Sequence, residues 1–207
     1  FSDVQPAPPE SNILESTNLS IEKSVDGIIG IGGGSSLDVA KVTAVLSKQQ
    51  EKLNEIYGID NIKGHRLPLI LIPTTAGTGS EVTPVSIVTT GKSEKMGVVS
   101  NKIIPDAAIL DPELTMGLPP HITAATGIDA MVHAIEAYTS KSQNNNPISR
   151  SLAKKALRLM GKSIETAVHS GSNIEARSNM LLGSMFAGQA FANSPVAAVH
   201  ALAYPIG

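Results

Sequence analysis

The chain has 207 residues, 42% of them hydrophobic, and a formal net charge of −2, which suits a soluble globular protein of one large or two small domains. Its lysines and arginines form no basic stripe and only 3% of its residues are aromatic, which argues against a nucleic-acid surface. No apolar run approaches the roughly 20 residues of a membrane-spanning helix. The sequence contains no cysteine, which excludes disulfides and thiolate metal sites and fits a cytoplasmic protein.

The two ends of the chain predict that it is an internal segment of a longer protein. Phe1 is not an initiator methionine, and no charged and then apolar signal segment follows it. The chain ends at Gly207, just after an apolar, helix-like run.

The first half of the chain alternates short apolar runs with glycine-rich or polar turns. After a proline-rich lead-in over residues 1–12, the pattern predicts a helix to about Ser24 and another over 37–46. The predicted strands are short apolar runs at 26–31, 67–72, 82–90, 95–100 and 107–110. The strands at 82–90 and 95–100 are expected to form a hairpin around Gly91. Strand, glycine turn and helix, in that order, are typical of nucleotide-binding domains.

The glycine cluster Gly30-Ile-Gly-Gly-Gly-Ser-Ser36 joins the first strand to its helix. Without side chains, its backbone can approach a pyrophosphate closely, and the free N–H groups of the helix start can receive the negative charge. The alternative is a tight strand-to-helix turn that binds nothing. Ser35 stands where the common dinucleotide fingerprint has its last glycine. Ser35 and Asp38 also form a Ser-x-x-Asp pattern that predicts a cap at the helix start.

A second polar turn, Thr74–Ser80, follows the strand at 67–72. It could donate several hydroxyl and backbone N–H groups to the same ligand, or it could be an ordinary polar loop after a strand. Two such turns at the carboxyl ends of strands favour the first interpretation, because ligands of open α/β sheets bind at that edge.

The second half of the chain is predicted to be helical. After Leu118-Pro-Pro120 it is rich in Ala, Leu and Met, with breaks near 143–147, 170–172 and 194–195. We therefore place a domain boundary at 118/119, which gives a partial α/β domain over 1–118 and a partial all-helical domain over 119–207.

Asp129 and His133 lie four residues apart in the stretch Thr126–Tyr138. On a helix they share a face, and a carboxylate oxygen with an imidazole nitrogen makes half of a coordination sphere for a divalent transition metal. The spacing alone more often marks a solvated face with a weak ion pair. Here the neighbours are small or apolar, so the polar pair needs partners. A second apolar run carries His200, whose simpler interpretation is a hydrogen-bonded core histidine.

Four motifs in this order resemble the signatures of the iron-containing, or group III, alcohol dehydrogenases, and the resemblance covers essentially the whole chain. They are Gly32-Gly-Gly-Ser35 with Asp38 and Lys41, Pro73-Thr-Thr-Ala-Gly-Thr-Gly-Ser-Glu81, Asp111-Pro112, and Gly127-Ile-Asp-Ala-Met-Val-His-Ala-Ile-Glu136, joined by His200. The resemblance implies an α/β N-terminal nucleotide-binding domain followed by an all-α helical domain, as in a truncated two-domain dehydroquinate-synthase-like architecture. It also implies NAD or NADP and one divalent metal, usually Fe²⁺, with Zn²⁺ as the alternative.

The resemblance assigns roles to individual residues. The residues implied as metal ligands at the catalytic centre are Asp129, His133 and His200. Those implied to bind the cofactor are Gly33, Gly34 and Ser35 at the pyrophosphate, and Thr74, Thr75, Thr78, Thr83 and Lys95 along the ribose and nicotinamide side.

The sequence departs from the family pattern at several points. The family's fourth metal ligand, a histidine, is expected beyond the end of this chain. The first strand and helix of the nucleotide-binding domain are expected ahead of Phe1. Ala7 stands where relatives often carry a cofactor-contacting Asn, and Tyr204 replaces a His that some members place near the substrate.

The function implied is transfer of a hydride between a short-chain alcohol and NAD(P), with a metal that acts as a Lewis acid on the alcohol oxygen. The expected partners are a small alcohol or aldehyde and further copies of the chain in a homo-oligomer. Alternatives are a hydroxyacid–oxoacid transhydrogenase, a glycerol-dehydrogenase-like relative, or a catalytically silent nucleotide-binding fragment. The sequence leaves open the physiological substrate and the choice between NAD and NADP.

Overall fold

The computed structural model describes residues 1–91, 94–194 and 198–203, so Tyr204 lies outside the described residues. The chain divides into two compact units. The first consists of Phe1–Pro73 and Pro84–Ile109, and the second of Thr74–Thr83 and Leu110–Gly207. The domain boundary at 118/119 stays a prediction.

The first unit contains a parallel sheet covered by a helix. The strands β1 (Ile28–Gly32), β3 (Leu69–Pro73) and β6 (Ala107–Ala108) lie in the order β1-β3-β6. The helices α1 (Glu10–Glu22) and α2 (Gly34–Leu46) flank β1 in sequence. One face of α2 packs on the buried leucines of β3. A Cβ at Gly30 would lie 2.6 Å from the Cβ of Ala40, so this glycine allows β1 and α2 to approach closely.

A second sheet in the same unit combines the predicted hairpin with a strand that the sequence did not reveal. The strands β4 (Val85–Thr90) and β5 (Glu94–Val99) pair antiparallel, which confirms the predicted pairing. The short strand β2 (Gly58–Ile59) adds to β5 in parallel. A core cluster joins these strands to α1 and α2 and includes Ile13, Val42, Val45, Val88 and Val98. Helix α2 packs on both sheets, and from Leu37 to Leu46 every residue except Asp38 is buried, including the polar Lys41 and Thr43.

The start of α2 differs from the sequence-based expectation. The helix begins at Gly34, and its N-cap residue, Gly33, has no side chain with which to cap it. Asp38 instead accepts the backbone N–H of Ile87 through Oδ2 at 2.9 Å. Ser35 Oγ accepts the N–H of Ala7 at 3.3 Å. The predicted capping by Ser35 and Asp38 is therefore wrong, because both side chains bind neighbouring segments.

The second unit is built mainly from helices. They are α3 (Pro120–Thr139), α4 (Pro147–His169), α5 (Ile174–Asn193) and α6 (Ala198–Ala203). Proline occupies the first position of α3 and α4, where its missing N–H costs nothing, and Asn146 caps α4 by accepting the N–H groups of Ile148 and Ser149. The predicted breaks at 143–147 and 170–172 are confirmed. Among the described residues, none of the helices is both long enough and apolar enough to cross a membrane.

Small residues and a buried arginine hold this helical unit together. A Cβ at Gly183 on α5 would lie 2.5 Å from Met160 Cγ on α4, so the two helices pack closely at that point. The guanidinium of Arg177 is buried and donates to Thr123 Oγ1 at 2.8 Å, to the Gly171 carbonyl at 2.8 Å and to the Leu118 carbonyl at 3.2 Å. These bonds tie α5 to the first turns of α3 and thereby fix the position of α3.

Candidate metal centre

Helix α3 presents three ionisable side chains on one face, namely Asp129, His133 and Glu136. Their spacing of four and three residues places them on successive turns. Helix α6 adds His200 to this group. The ligand atoms of Asp129, His133 and His200 lie within 4.8 Å of one another. Asp129 Oδ1 is 3.5 Å from His200 Nε2 and 4.0 Å from His133 Nε2.

The three side chains fit a divalent metal ion. His200 Nε2 is buried and has no hydrogen-bond partner within the described part of the chain, a state that costs about 1–3 kcal/mol when nothing compensates it. The nitrogen points toward a carboxylate from a distance too long for a hydrogen bond. One carboxylate oxygen and two imidazole nitrogens are a donor set that suits iron or zinc.

The two histidine rings stack on each other and on a phenylalanine. His133 and His200 have ring centroids 4.4 Å apart with an interplanar angle of 11°. Phe191 of α5 stacks on the other face of His133, with centroids 5.1 Å apart and an angle of 17°. This row of rings restricts rotation of the imidazoles and shields His133 from water.

Burial sets the protonation of His133. Its pKa is lowered mainly by burial, which disfavours the charged imidazolium, and this outweighs the opposite influence of the Asp129 carboxylate. A lowered pKa keeps the ring neutral near pH 7. A neutral imidazole has a free nitrogen lone pair, which metal coordination requires.

A fourth side chain at the centre, Glu136, had no role assigned from the sequence. Its carboxylate is buried, with 4% of the residue exposed. The Nδ1–H of His200 donates to Glu136 Oε2, and the N–H of Val199 donates to Glu136 Oε1 at 2.7 Å. The spacing of three residues after His133 in an apolar stretch is the sequence signal that could have revealed it. Phe191, on a different helix, carried no such signal.

In the first unit, a chain of hydrogen bonds connects two of the predicted cofactor residues. Ser35 Oγ accepts a hydrogen bond from the N–H of Ala7. The carbonyl of Ala7 accepts one from the Thr89 hydroxyl at 2.8 Å. Thr89 Oγ1 in turn accepts a hydrogen bond from the Lys95 ammonium at 2.7 Å. The structure therefore brings Lys95 and the turn Gly33–Ser35 into one network, even though Ala7 cannot make the contact expected of an Asn.

The other predicted cofactor residues lie in the second unit, on the turn Thr74–Thr83. Thr74 and Thr75 are half-buried, Thr78 is exposed, and Thr83 is buried. The predicted cofactor residues are thus divided between the two compact units. That both turns serve a single ligand stays a prediction.

Comparisons with known proteins agree with this fold. Residues 1–112 match the family model described as iron-containing alcohol dehydrogenase, and residues 123–207 match that of the Fe-containing alcohol dehydrogenase family, C-terminal. The chain therefore belongs to the iron-containing alcohol dehydrogenase family.

Individual relatives show the same similarity. The long-chain-alcohol dehydrogenase 1 of Geobacillus thermodenitrificans is 45% identical over 210 aligned positions, which cover 100% of this chain and 52% of that protein. The alcohol dehydrogenase structure from Oenococcus oeni superposes with a TM-score of 0.94 at 38% identity, over 99% of this chain and 53% of that one. The sulfoacetaldehyde reductase of Bifidobacterium kashiwanohense, solved in complex with NAD⁺, gives a TM-score of 0.91 at 36% identity. The match covers 100% of this chain and 55% of that one. The chain thus spans about half the length of the relatives that it matches.

Proposed function

We propose that this protein is a metal-dependent oxidoreductase that transfers a hydride between an alcohol and a nicotinamide dinucleotide. The observation that carries the proposal is the convergence of Asp129, His133 and His200, whose ligand atoms lie within 4.8 Å of one another. The names of the relatives, which are alcohol dehydrogenases and an aldehyde reductase bound to NAD⁺, support the same reaction class.

Asp129, His133 and His200 are the residues that would hold the metal. A divalent ion supplies Lewis acidity toward an alcohol oxygen when bound, and the dinucleotide supplies the hydride acceptor. Asp129 contributes the anionic oxygen, and its half-exposed side chain leaves one side of the centre accessible. Phe191 covers the face of His133 and excludes water there. We propose Fe²⁺ as the ion, in keeping with the family name, with Zn²⁺ as the alternative that metal analysis distinguishes.

The dinucleotide is proposed to bind at the turn Gly33–Ser35. This turn follows β1 and opens the 13-residue helix α2, and its N-cap residue Gly33 makes no side-chain capping hydrogen bond. The free N–H groups and the positive end of the helix dipole favour a pyrophosphate there. Lys95 of the same unit adds a positive charge. Thr74, Thr75, Thr78 and Thr83 are proposed to contact the ribose and the nicotinamide.

Three measurements on the purified protein test this function. Metal content is determined after separate reconstitution with Fe²⁺ and Zn²⁺, and titration calorimetry then measures binding of NADH and NADPH. Oxidation of the reduced dinucleotide is followed with short and long aldehydes as substrates. We expect stoichiometric metal, binding of at least one dinucleotide and turnover. Failure of both dinucleotides to bind the metal-loaded protein would disprove the proposal, whereas binding without metal and without turnover would identify a silent nucleotide-binding protein.

A further inference from the structure

Glu136 is a carboxylate placed where burial alone disfavours it. It lies on the same face of α3 as Asp129 and His133 and has only 4% of its surface exposed. Taking an ionised carboxylate out of water is unfavourable, and an apolar residue at such a position often stabilises a fold at least as well. The packing of α3 therefore does not by itself explain a glutamate here.

Both oxygens of Glu136 accept hydrogen bonds from helix α6. Oε1 accepts the backbone N–H of Val199 at 2.7 Å, and Oε2 accepts the Nδ1–H of His200. The N–H of Val199 lies in the first turn of α6, where helical N–H groups have no intrahelical partner. One carboxylate thus fixes both the helix that carries His200 and the imidazole ring itself.

The bond to Nδ1 determines which nitrogen of His200 is free. A carboxylate accepts but does not donate, so Nδ1 carries the ring proton and the lone pair of the neutral imidazole lies on Nε2. Nε2 is the buried nitrogen without a hydrogen-bond partner among the described residues, 3.5 Å from Asp129 Oδ1. The same arrangement, with a carboxylate behind a histidine, orients metal-binding histidines generally.

We propose that Glu136 is a positioning residue of the metal centre, which holds the His200 ring in the tautomer and orientation that direct Nε2 at the metal. This role rests on the proposed metal-dependent function. In this role Glu136 acts through His200 and is not itself a metal ligand. A carboxylate can accept from both the Val199 N–H and the His200 Nδ1–H, whereas a glutamine at 136 offers one acceptor oxygen and would turn its NH₂ group toward either Val199 or His200.

The test compares Zn²⁺ binding by the wild-type chain with that of Glu136→Gln, Glu136→Ala and the control Glu165→Gln. Glu165 is an exposed carboxylate on α4, so its variant changes the net charge by the same amount away from the centre. We expect the Zn²⁺ dissociation constant to rise about 10- to 100-fold in the two Glu136 variants, and to stay within about twofold in the control. Circular dichroism checks that each variant is folded.

A second measurement reports the position of the ring directly. In the diamagnetic Zn²⁺ form, long-range ¹H–¹⁵N NMR distinguishes a protonated ring nitrogen from a metal-bound one. We expect His200 of the wild type to have a protonated Nδ1 and a metal-bound Nε2, and Glu136→Gln to lose this single pattern. The wild-type spectrum by itself shows which nitrogen of His200 binds the metal, so the proposal can be tested even if a variant fails to fold.

The outcomes separate the role of Glu136 from the function itself. Wild-type protein that binds no Zn²⁺, or binds it without His200, would overturn both. Wild-type protein that binds Zn²⁺ through His200 Nε2, together with folded Glu136 variants of unchanged affinity, would overturn only the role of Glu136. A metal-bound Nδ1 on His200 would do the same.

Discussion

The backbones of Gly79 and Gly188 touch each other within the helical unit. A Cβ built on Gly188 would lie 2.9 Å from the Cα and 3.0 Å from the carbonyl oxygen of Gly79, and one built on Gly79 would lie 2.7 Å from the Cα of Gly188. Gly79 also has φ of +61°, in the left-handed region that favours glycine. This contact fixes the turn Thr74–Thr83 on helix α5, which also carries Phe191 of the candidate metal centre.

We predict that Gly188→Ala destabilises the protein, because the new methyl group collides with backbone atoms that cannot move aside independently. The expected loss is about 1–3 kcal/mol in the free energy of unfolding, as for other overpacked sites, measured by urea denaturation. Gly161→Ala on α4 is the matched control. In the described part of the chain nothing lies within 4 Å of a Cβ there, so alanine should stabilise the helix by about 0.5–1 kcal/mol. Equal unfolding curves for Gly188→Ala and wild type would contradict the close contact.

For Asp129→Ala we predict loss of the metal without loss of the fold. The side chain is 43% exposed, so its removal leaves little buried space, but it removes the one anionic ligand of the proposed centre. Metal affinity should fall at least about 10-fold and turnover with it, as measured by elemental analysis after dialysis. The affinity for NADH should stay within about twofold, because Asp129 is not among the residues proposed to bind the dinucleotide.

A negative charge introduced at the start of α2 tests whether the turn Gly33–Ser35 binds the pyrophosphate. We predict that Ser35→Asp weakens dinucleotide binding at least about fivefold, because two like charges about 4 Å apart repel by about 1 kcal/mol even in water. Stability should be maintained, since an acidic residue in the first turn of a helix interacts favourably with its dipole. The control Ser35→Ala removes the same hydroxyl, which accepts a hydrogen bond from the Ala7 N–H, without adding a charge. Calorimetric titration that gives Ser35→Asp the affinity of the control would exclude this turn as the pyrophosphate site.

Local sequence patterns predicted the parts of the structure that local rules determine. The spacing of Asp129 and His133 correctly predicted one helix face, and the order of apolar runs and turns predicted most strands and helices. Tertiary contacts decided the rest. Asp38 fits a capping pattern, yet its carboxylate binds the Ile87 N–H of a distant strand. The strand β2 has only two residues, too few for any periodicity to indicate.

The candidate site shows the same limit. No spacing rule connects His200 to α3, and only the resemblance to a family placed the histidine beside Asp129. Glu136 lay in the same quoted motif, but its role depends on donors from α6 that the sequence does not position. The sequence signal for Glu136 is a glutamate one turn after the predicted ligand His133 in an otherwise apolar stretch.

The pH dependence of stability should reveal the ion pair between Asp106 and Arg66. The Asp106 carboxylate accepts two hydrogen bonds from the guanidinium of Arg66, at 2.7 and 3.0 Å. It also accepts one at 2.8 Å from the N–H of Leu69, at the start of β3. These hydrogen bonds lower the pKa of Asp106 from 3.8 to about 2, and those from Arg66 have the largest effect. Since the folded pKa is the lower one, this stabilisation is present above about pH 4 and is lost as the pH falls toward 2.

We therefore predict that Asp106→Asn lowers the free energy of unfolding by about 1 kcal/mol at pH 7, a modest amount because the side chain is 58% exposed and water screens the pair. Urea denaturation at pH 7, 5 and 3.5 measures the difference from wild type. It should be constant between pH 7 and 5 and smaller at pH 3.5, where the wild type begins to lose the same interaction. Asp26→Asn, at an exposed position of the same unit, is the control and should change stability little at any pH. A difference for Asp106→Asn that does not shrink at pH 3.5 would mean that the charge of Asp106 is not what ties Arg66 to the start of β3.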